Sequence, residues 1–206
     1  PFQLSPHNSQ VVYHGMNRVF RSMNRGDSWE CISPDLTHND PDKQGNISFA
    51  TITTLCESPL KFGLLYAGTD DGRVHVTRDH GLNWTEITKG LPPFKWVSRV
   101  WASKFKEGTV YLTLNGKTDN DFQAYVYRSD DYGATWQDIS AGIPGGPINV
   151  IKEDNKHAGL LYVGSDLGVY VSSDDGASWQ VLGSELPLTF VPDLVIHPRD
   201  NIFVVA

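Results

Sequence analysis

The sequence predicts an all-β protein whose chain repeats one four-stranded unit, and two observations carry this prediction. The first is a box with the spacing S/T-x-D/N-x-G-x-x-W, which occurs four times in the 206 residues. The second is the sequence around each box, where short runs rich in Val, Ile, Tyr and Thr alternate with turn residues. Four-stranded units that recur at roughly 40–50 residues are typical of the blades of a β-propeller.

Each unit is predicted to contain its four strands in the same order. An inner strand comes first, then a strand that contains a Tyr, then a strand that enters the box, and finally a short strand after the Trp. In the second unit these strands are 50–55, 65–68, 73–77 and 85–88. The predicted blades of this single propeller segment, 1–206, are 1–37 (partial), 48–90, 95–142, 146–184 and 190–206 (partial).

The two partial units suggest an incomplete arc of a larger ring. Residues 5–9 match the end of an inner strand, so we expect three strands in the first unit. The last unit offers two, at 193–196 and 202–206. Alternatively, the last inner strand pairs with the first unit and closes a small ring. An open arc leaves an apolar blade face exposed and is expected to self-associate.

The box residues are predicted to be structural. The Ser or Thr hydroxyl and the Asp or Asn oxygen accept hydrogen bonds from the turn, the Gly tolerates a left-handed backbone, and the Trp covers the hairpin. We prefer this interpretation to a metal or catalytic role, because only the turn is common to all four positions. The boxes are Ser22, Asn24, Gly26 and Trp29; Thr77, Asp79, Gly81 and Trp84; Ser129, Asp131, Gly133 and Trp136; Ser172, Asp174, Gly176 and Trp179.

Composition excludes several classes of partner. The net charge of −7 is spread without a basic stripe, so no nucleic-acid partner is expected. No apolar run approaches the roughly 18–20 residues of a membrane span. Cys31 and Cys56 are interpreted as buried free thiols, and the histidines lack metal-ligand spacing. We therefore expect neither a metal nor a cofactor.

The inner strands hold the candidate binding residues. Their alignment places a first polar row at one level and a second, charged row next to it, and either row can line a central channel. The alternative is that these positions are merely solvated, as channel mouths are in any propeller. The long loops at 37–46 and 115–122 are a second candidate surface. The possible channel-lining residues are Thr53, Ser98, Arg99, Asn149, Glu153 and Asp193.

Several stretches resemble the Asp-box (BNR) repeat found in bacterial sialidases, xyloglucan-degrading glycosidases and the sortilin ectodomain. The stretches at 32–37 (ISPDLT), 63–74 (GLLYAGTDDGRV) and 193–200 (DLVIHPRD) are most similar to bacterial sortilin-type repeat proteins labelled "glycosyl hydrolase, BNR repeat". This resemblance implies export to the periplasm or the cell exterior. The label itself does not establish hydrolysis.

The residues favour binding over catalysis. A sialidase-like mechanism, as the resemblance would imply, needs three converging arginines, and Arg99 is alone on an inner strand. Glu57 and Glu153 occupy equivalent places, which indicates repeat chemistry. We therefore predict no catalytic residue and a non-catalytic binding or scaffold module of a larger exported bacterial protein, which presents loops to protein or carbohydrate. The alternative is a sialidase-like or xyloglucanase-like glycoside hydrolase whose catalytic groups lie partly on other blades.

Overall fold

The computed structural model describes residues 1–45, 49–183, 188–197, 199–200 and 202–205. Within them, strands form four four-stranded sheets and one two-stranded sheet, and every described strand pairing is antiparallel. The predicted all-β architecture of four-stranded blades is therefore confirmed. The predicted blade limits at 48, 184 and 206 fall outside the described residues, and the blade ranges stay predictions.

The strands follow the predicted order within each sheet. The first sheet contains β1 (Phe2–Leu4), β2 (Val12–Gly15), β3 (Val19–Ser22) and β4 (Glu30–Cys31); the second, β5 (Ile52–Glu57), β6 (Leu65–Thr69), β7 (Val74–Thr77) and β8 (Thr85–Glu86); the third, β9 (Trp96–Ala102), β10 (Val110–Asn115), β11 (Tyr125–Ser129) and β12 (Gln137–Asp138); the fourth, β13 (Ile148–Glu153), β14 (Leu161–Ser165), β15 (Gly168–Ser172) and β16 (Gln180–Val181); the fifth, β17 (Leu194–Ile196) and β18 (Phe203–Val205). Two short 3-10 turns lie at Pro41–Lys43 and Lys117–Asp119.

The first sheet differs from the prediction of three strands. Phe2–Leu4 pairs with the second strand in the register Phe2 to His14 and Leu4 to Val12, which supplies a short inner strand. Three residues are too few for an alternating pattern to stand out in the sequence, so this strand was missed. The last inner strand, β17, pairs with β18, and β1 pairs with β2. The alternative in which the last inner strand pairs with the first sheet is therefore wrong.

The apolar cores lie between successive sheets. Side chains alternate across a strand, so each middle sheet buries both faces. One core joins the first and second sheets through residues such as Val11 and Leu55, and another joins the second and third through Val76 and Val100. Two further cores continue the series to the fifth sheet. The sheets therefore stand face to face in sequence order, with their inner strands on one side.

Three inner strands carry a bulge at the same place. The pairing register shifts between Ile52 and Thr54 in the second sheet and between Ile148 and Val150 in the fourth. In the third sheet it shifts between Val97 and Arg99, which pair with Leu114 and Thr113. A bulge leaves one residue without a partner and re-aims its side chain. The unpaired residues are Thr53, Ser98 and Asn149.

Each box closes its own turn by hydrogen bonds. In the third box, the Ser129 hydroxyl accepts from the Gly133 N–H at 2.8 Å, and the Asp131 carboxylate accepts from the Thr135 N–H at 2.9 Å. Gly133 has a φ of 89°, and Tyr132 before it has a φ of 62°. The other boxes repeat this pattern. The turn therefore holds two successive left-handed residues, a conformation that favours glycine at the second position.

The box tryptophans reach farther than their own hairpins. In three boxes the indole N–H donates to a backbone carbonyl of the preceding sheet, so the Trp links two sheets. The bonds are Trp84 to Ile32 (2.8 Å), Trp136 to Ile87 (2.7 Å) and Trp179 to Ile139 (2.6 Å). Trp29 in the first box is 43% exposed and lies near the ring of His14.

Candidate functional site

A cavity of about 630 Å³ opens beside the starts of the inner strands. We call it the mouth cavity. It is lined by four of the six predicted channel residues, Thr53, Ser98, Arg99 and Asn149. The sequence alignment of the inner strands thus identified positions that lie together.

The bulge residues bond the next sheet. Each of the three side chains donates a hydrogen bond to a carbonyl of the chain segment that begins the following sheet. The pairs are Thr53 with Val97 (2.6 Å), Ser98 with Ile148 (2.7 Å) and Asn149 with Val191 (3.2 Å). These side chains therefore fix the spacing of the inner strands as well as lining the cavity.

The rim of the mouth cavity combines polar groups with exposed rings. Asp166 accepts from the Asn149 amide at 3.0 Å and pairs with the Lys117 ammonium at 2.7 Å. Trp96 is 42% exposed and Phe190 is 55% exposed, and both line the cavity. Large apolar rings beside a few convergent polar groups are typical of small-molecule sites.

The two charged residues of the second row meet across the sheets. Arg99 on β9 donates to Asp193, just before β17, at 2.9 Å. Residues 94 positions apart in the chain, in the third and fifth units, are joined by this pair. Both side chains are partly exposed, so the pair adds little stability by itself and marks where the inner strands converge.

Glu153, like Asp193, is not among the residues that line the mouth cavity. Its buried carboxylate accepts from the Ser103 hydroxyl at 2.7 Å and from the Tyr111 hydroxyl at 3.3 Å. Glu57 does the same in the second sheet, accepting from the Tyr13 hydroxyl at 2.9 Å. Both carboxylates accept hydrogen bonds in the interior, which is a structural role, while the Oε2 atom of Glu57 has no hydrogen-bond partner among the described residues.

Sequence reasoning missed a second, smaller cavity of about 110 Å³, which we call the inner cavity. It is lined by Trp101, Lys152, Glu153, Asn155 and the β17 residues Leu194–Ile196. The Lys152 ammonium lies 3.7 Å from the centroid of the Trp101 ring. Burial, and then the charge of Arg99, lower the pKa of Lys152 to about 8. The signal available in the sequence was the shared position of Trp101 and Lys152, one residue beyond the aligned core residue of each inner strand.

The loop at 115–122 brings its acids to a lysine. The Lys95 ammonium lies 3.3 Å from Asp119 and 3.0 Å from Asp121. Hydrogen bonding to Asp121 raises the pKa of Lys95. The described residues contain no group of three or more His, Cys, Asp or Glu placed to hold a metal. This loop is therefore an ion-paired surface.

Two further findings concern the cysteines and the membrane. Cys56 is buried and free, but Cys31 is free and exposed, so the expected burial of Cys31 is wrong. Cys31 lies on the two-residue strand β4, whose residues both face solvent.

In the part of the chain that the structure describes, helices fall short of the length and apolar character that crossing a bilayer requires.

Comparison with known proteins identifies the repeat and its relatives. Residues 126–139 match the family model described as BNR-Asp box repeat. The chain is 24% identical over 221 residues to the xyloglucanase Xgh74A of Acetivibrio thermocellus, covering 93% of this chain and 24% of the relative. It is 27% identical over 113 residues to the oligoxyloglucan-reducing end-specific xyloglucanase of Emericella nidulans, covering 52% of this chain and 12% of the relative. The chain thus spans at most about a quarter of these relatives.

Solved structures share the fold. A GH74 xyloglucanase from Xanthomonas campestris matches with a TM-score of 0.77 and 20% identity, covering 99% of this chain and 35% of that one. An ancestral GH74 enzyme matches with a TM-score of 0.73 and 18% identity, covering 100% of this chain and 27% of that one. Residues 126–139 therefore carry a BNR-Asp box repeat, and the chain shares the β-propeller fold of these GH74 enzymes.

Proposed function

We propose that this propeller segment is a non-catalytic binding module of a larger exported protein and that its mouth cavity binds carbohydrate. The observation that carries the proposal is the lining of that cavity. Trp96 and Phe190 offer exposed rings beside the amides of Asn115 and Asn149. The volume of about 630 Å³ falls within the range of roughly 300–1,000 Å³ found for small-molecule sites.

The carboxylates near the cavity support binding over hydrolysis. Glycosidases of the usual kind need two carboxyl groups facing each other across the substrate. Among the described lining residues, Asp166 is the one carboxylate, and Lys117 pairs with it. Asp193 is held by Arg99, and Glu153 is bonded within the interior. This set does not provide a free acid and a free base.

Carbohydrate is preferred to a protein ligand because the relatives at 24% and 27% identity are named xyloglucanases. Their names motivate xyloglucan oligosaccharides as the first probe. Export is part of the same proposal and is supported by the resemblance to exported bacterial repeat proteins.

Calorimetric titration of the chain with xyloglucan oligosaccharides tests the proposal. We expect saturable binding that Trp96→Ala weakens at least tenfold, since the ring would be lost from the cavity. The matched control is Trp29→Ala, which removes an exposed Trp outside the cavity and should leave the affinity unchanged. Absence of binding, or equal affinity in the Trp96→Ala variant, overturns the assignment of the cavity.

The second candidate function is a glycoside hydrolase, favoured by the similarity to xyloglucanases. Release of reducing ends from xyloglucan by this chain would support it. Turnover that is lost in Asp193→Asn or Glu153→Gln, with the fold intact by circular dichroism, would replace the binding module by an enzyme.

A further inference from the structure

Two cations, Arg99 and Lys152, and one carboxylate, Asp193, lie near one another between the third, fourth and fifth sheets. Arg99 on β9 is paired with Asp193 at 2.9 Å. Lys152 on β13 has no carboxylate or carbonyl partner among the described residues, and its ammonium faces the Trp101 ring at 3.7 Å. Arg99 lines the mouth cavity and Lys152 the inner cavity, so these cations form part of the wall between the two. The wall carries one positive charge more than its acid balances.

The acid next to Lys152 in the chain does not supply the missing charge. Glu153 points to the opposite side of β13, because neighbouring residues of a strand face opposite ways. Its oxygens accept from Ser103, Lys104 and Tyr111, which belong to the third sheet and its first loop. Glu153 therefore borders the inner cavity, but its carboxylate accepts hydrogen bonds on the other face of the strand.

The titration of Lys152 agrees with this imbalance. Burial is the main cause that lowers its pKa to about 8, and the charge of Arg99 adds to it. Asp193 on the fifth sheet and Cys56 on the second act in the opposite direction without restoring the ordinary value. An opposite charge nearby favours the charged form of a buried group. A bound anion would thus relieve the cost of burying this ammonium.

The inner cavity has room for such an anion. Its volume of about 110 Å³ exceeds the ~10–15 Å³ that one water needs. Its walls are apolar at Leu194 and Val195, aromatic at Trp101 and cationic at Lys152. We propose that the inner cavity binds a small carboxylate, with Lys152 as the binding cation and Arg99 adding to the positive field. This site is separate from the mouth cavity and does not rest on carbohydrate binding there.

Titration of the chain with sodium acetate, followed by NMR of ¹³C-methylated lysines, tests this site. We expect the Lys152 signal to shift saturably and its pKa to rise when acetate is bound. Sodium chloride at the same ionic strength should cause no saturable shift, because a general salt effect is not a site. Glucose, which carries no charge, should cause no saturable shift of the Lys152 signal.

Two variants separate the ammonium from the packing of its stem. Lys152→Met keeps the length of the side chain and should lower the affinity for acetate at least tenfold. Lys89→Met removes an exposed lysine outside both cavities and should leave the affinity for acetate unchanged. Lys152→Arg keeps the charge and should retain acetate binding, so it serves if the Met variant fails to fold.

The pH dependence gives an independent readout. The groups that face Lys152 are Arg99, Trp101, Asp193 and Cys56. Burial raises the pKa of Cys56. Acetate affinity should therefore fall about tenfold per pH unit above the pKa of Lys152, since the neutral amine no longer attracts the anion. Equal affinity in Lys152→Met, or no saturable binding at pH 6, overturns the proposal.

Discussion

The interface between the second and third sheets and the interface between the third and fourth use different residues at equivalent positions. In the first of these, Thr54 accepts from the Val100 N–H at 3.1 Å and the Cys56 thiol accepts from the Ala102 N–H at 3.4 Å. In the second, the equivalent side chains are Arg99 and Trp101, which face the cavities. Small side chains thus bind the next strand directly, whereas large ones leave space beside it.

The same contrast appears one strand outward. Tyr66 on β6 has a buried hydroxyl without a hydrogen-bond partner among the described residues. The equivalent Tyr111 on β10 donates to Asp175 at 2.9 Å and to Glu153 at 3.3 Å. Ala102 stands in the third sheet where Glu153 stands in the fourth, which explains why Tyr66 lacks an acceptor. The boxes of the third and fourth sheets make the same indole bond to the preceding sheet, so the two interfaces differ at their inner strands and not at their boxes.

The largest expected effect concerns the box tryptophans, which both interfaces share. Trp136→Ala removes an indole that packs on the core between the second and third sheets and bonds the Ile87 carbonyl. We expect a loss of about 3–5 kcal/mol in the free energy of unfolding, measured in guanidinium chloride. Trp179→Ala at the next interface should cost a similar amount. The exposed Trp29 is the control, and a Trp29→Ala cost as large as that of Trp136→Ala would contradict the role of the inter-sheet bond.

The next effect concerns the buried carboxylate network at the interface between the third and fourth sheets. Glu153→Gln keeps the shape of the side chain but replaces one acceptor oxygen by a donor beside Ser103 and Tyr111. Leaving buried hydroxyls poorly paired should cost about 1–3 kcal/mol in urea unfolding. Glu30→Gln is the matched control, because the Glu30 side chain is 67% exposed and its pair with Arg21 should be worth well under 1 kcal/mol. Equal losses of stability in Glu153→Gln and Glu30→Gln would contradict the stabilising role of the buried Glu153 network.

The smallest effect has opposite signs at the two interfaces. Tyr66→Phe removes an unpartnered buried hydroxyl and should be neutral or stabilising by up to about 1 kcal/mol. Tyr111→Phe removes a hydroxyl that donates to two carboxylates and should destabilise by about 1–2 kcal/mol. Thermal melting of the two variants beside the parent protein gives the signs directly. A stabilising Tyr111→Phe would show that the Glu153 network is not needed at this interface.

Local patterns made most of the fold predictable. The box spacing and the β-branched runs act within a few residues, so they indicated the hairpins and the order of the strands. The three-residue strand Phe2–Leu4 escaped because its partner strand, not its own pattern, defines it. The bonds of Trp84, Trp136 and Trp179 to the preceding sheet also escaped, since each acceptor carbonyl lies 40 to 52 residues away in the chain.

The candidate site was predictable only in part. Alignment of the inner strands placed Thr53, Ser98 and Asn149 at one level, and all three line the mouth cavity. The sequence did not indicate the bulges that aim them at the next sheet, because register depends on the pairing strand. Lys152 was missed for a similar reason: its burial depends on Trp101 and on the fifth sheet, which the chain brings together from three units.

The bulge residues and the box tryptophans together give a mechanical consequence. The second and third sheets, and the third and fourth, are each joined by two hydrogen bonds, one from Thr53 or Ser98 at the inner strands and one from the indole of Trp136 or Trp179 at the outer strands. Two bonds at different distances from the inner strands fix the angle between the two sheets. The wedge between one sheet and the next is therefore set by lengths within a single interface. The curvature of the sheet array therefore depends on each interface separately.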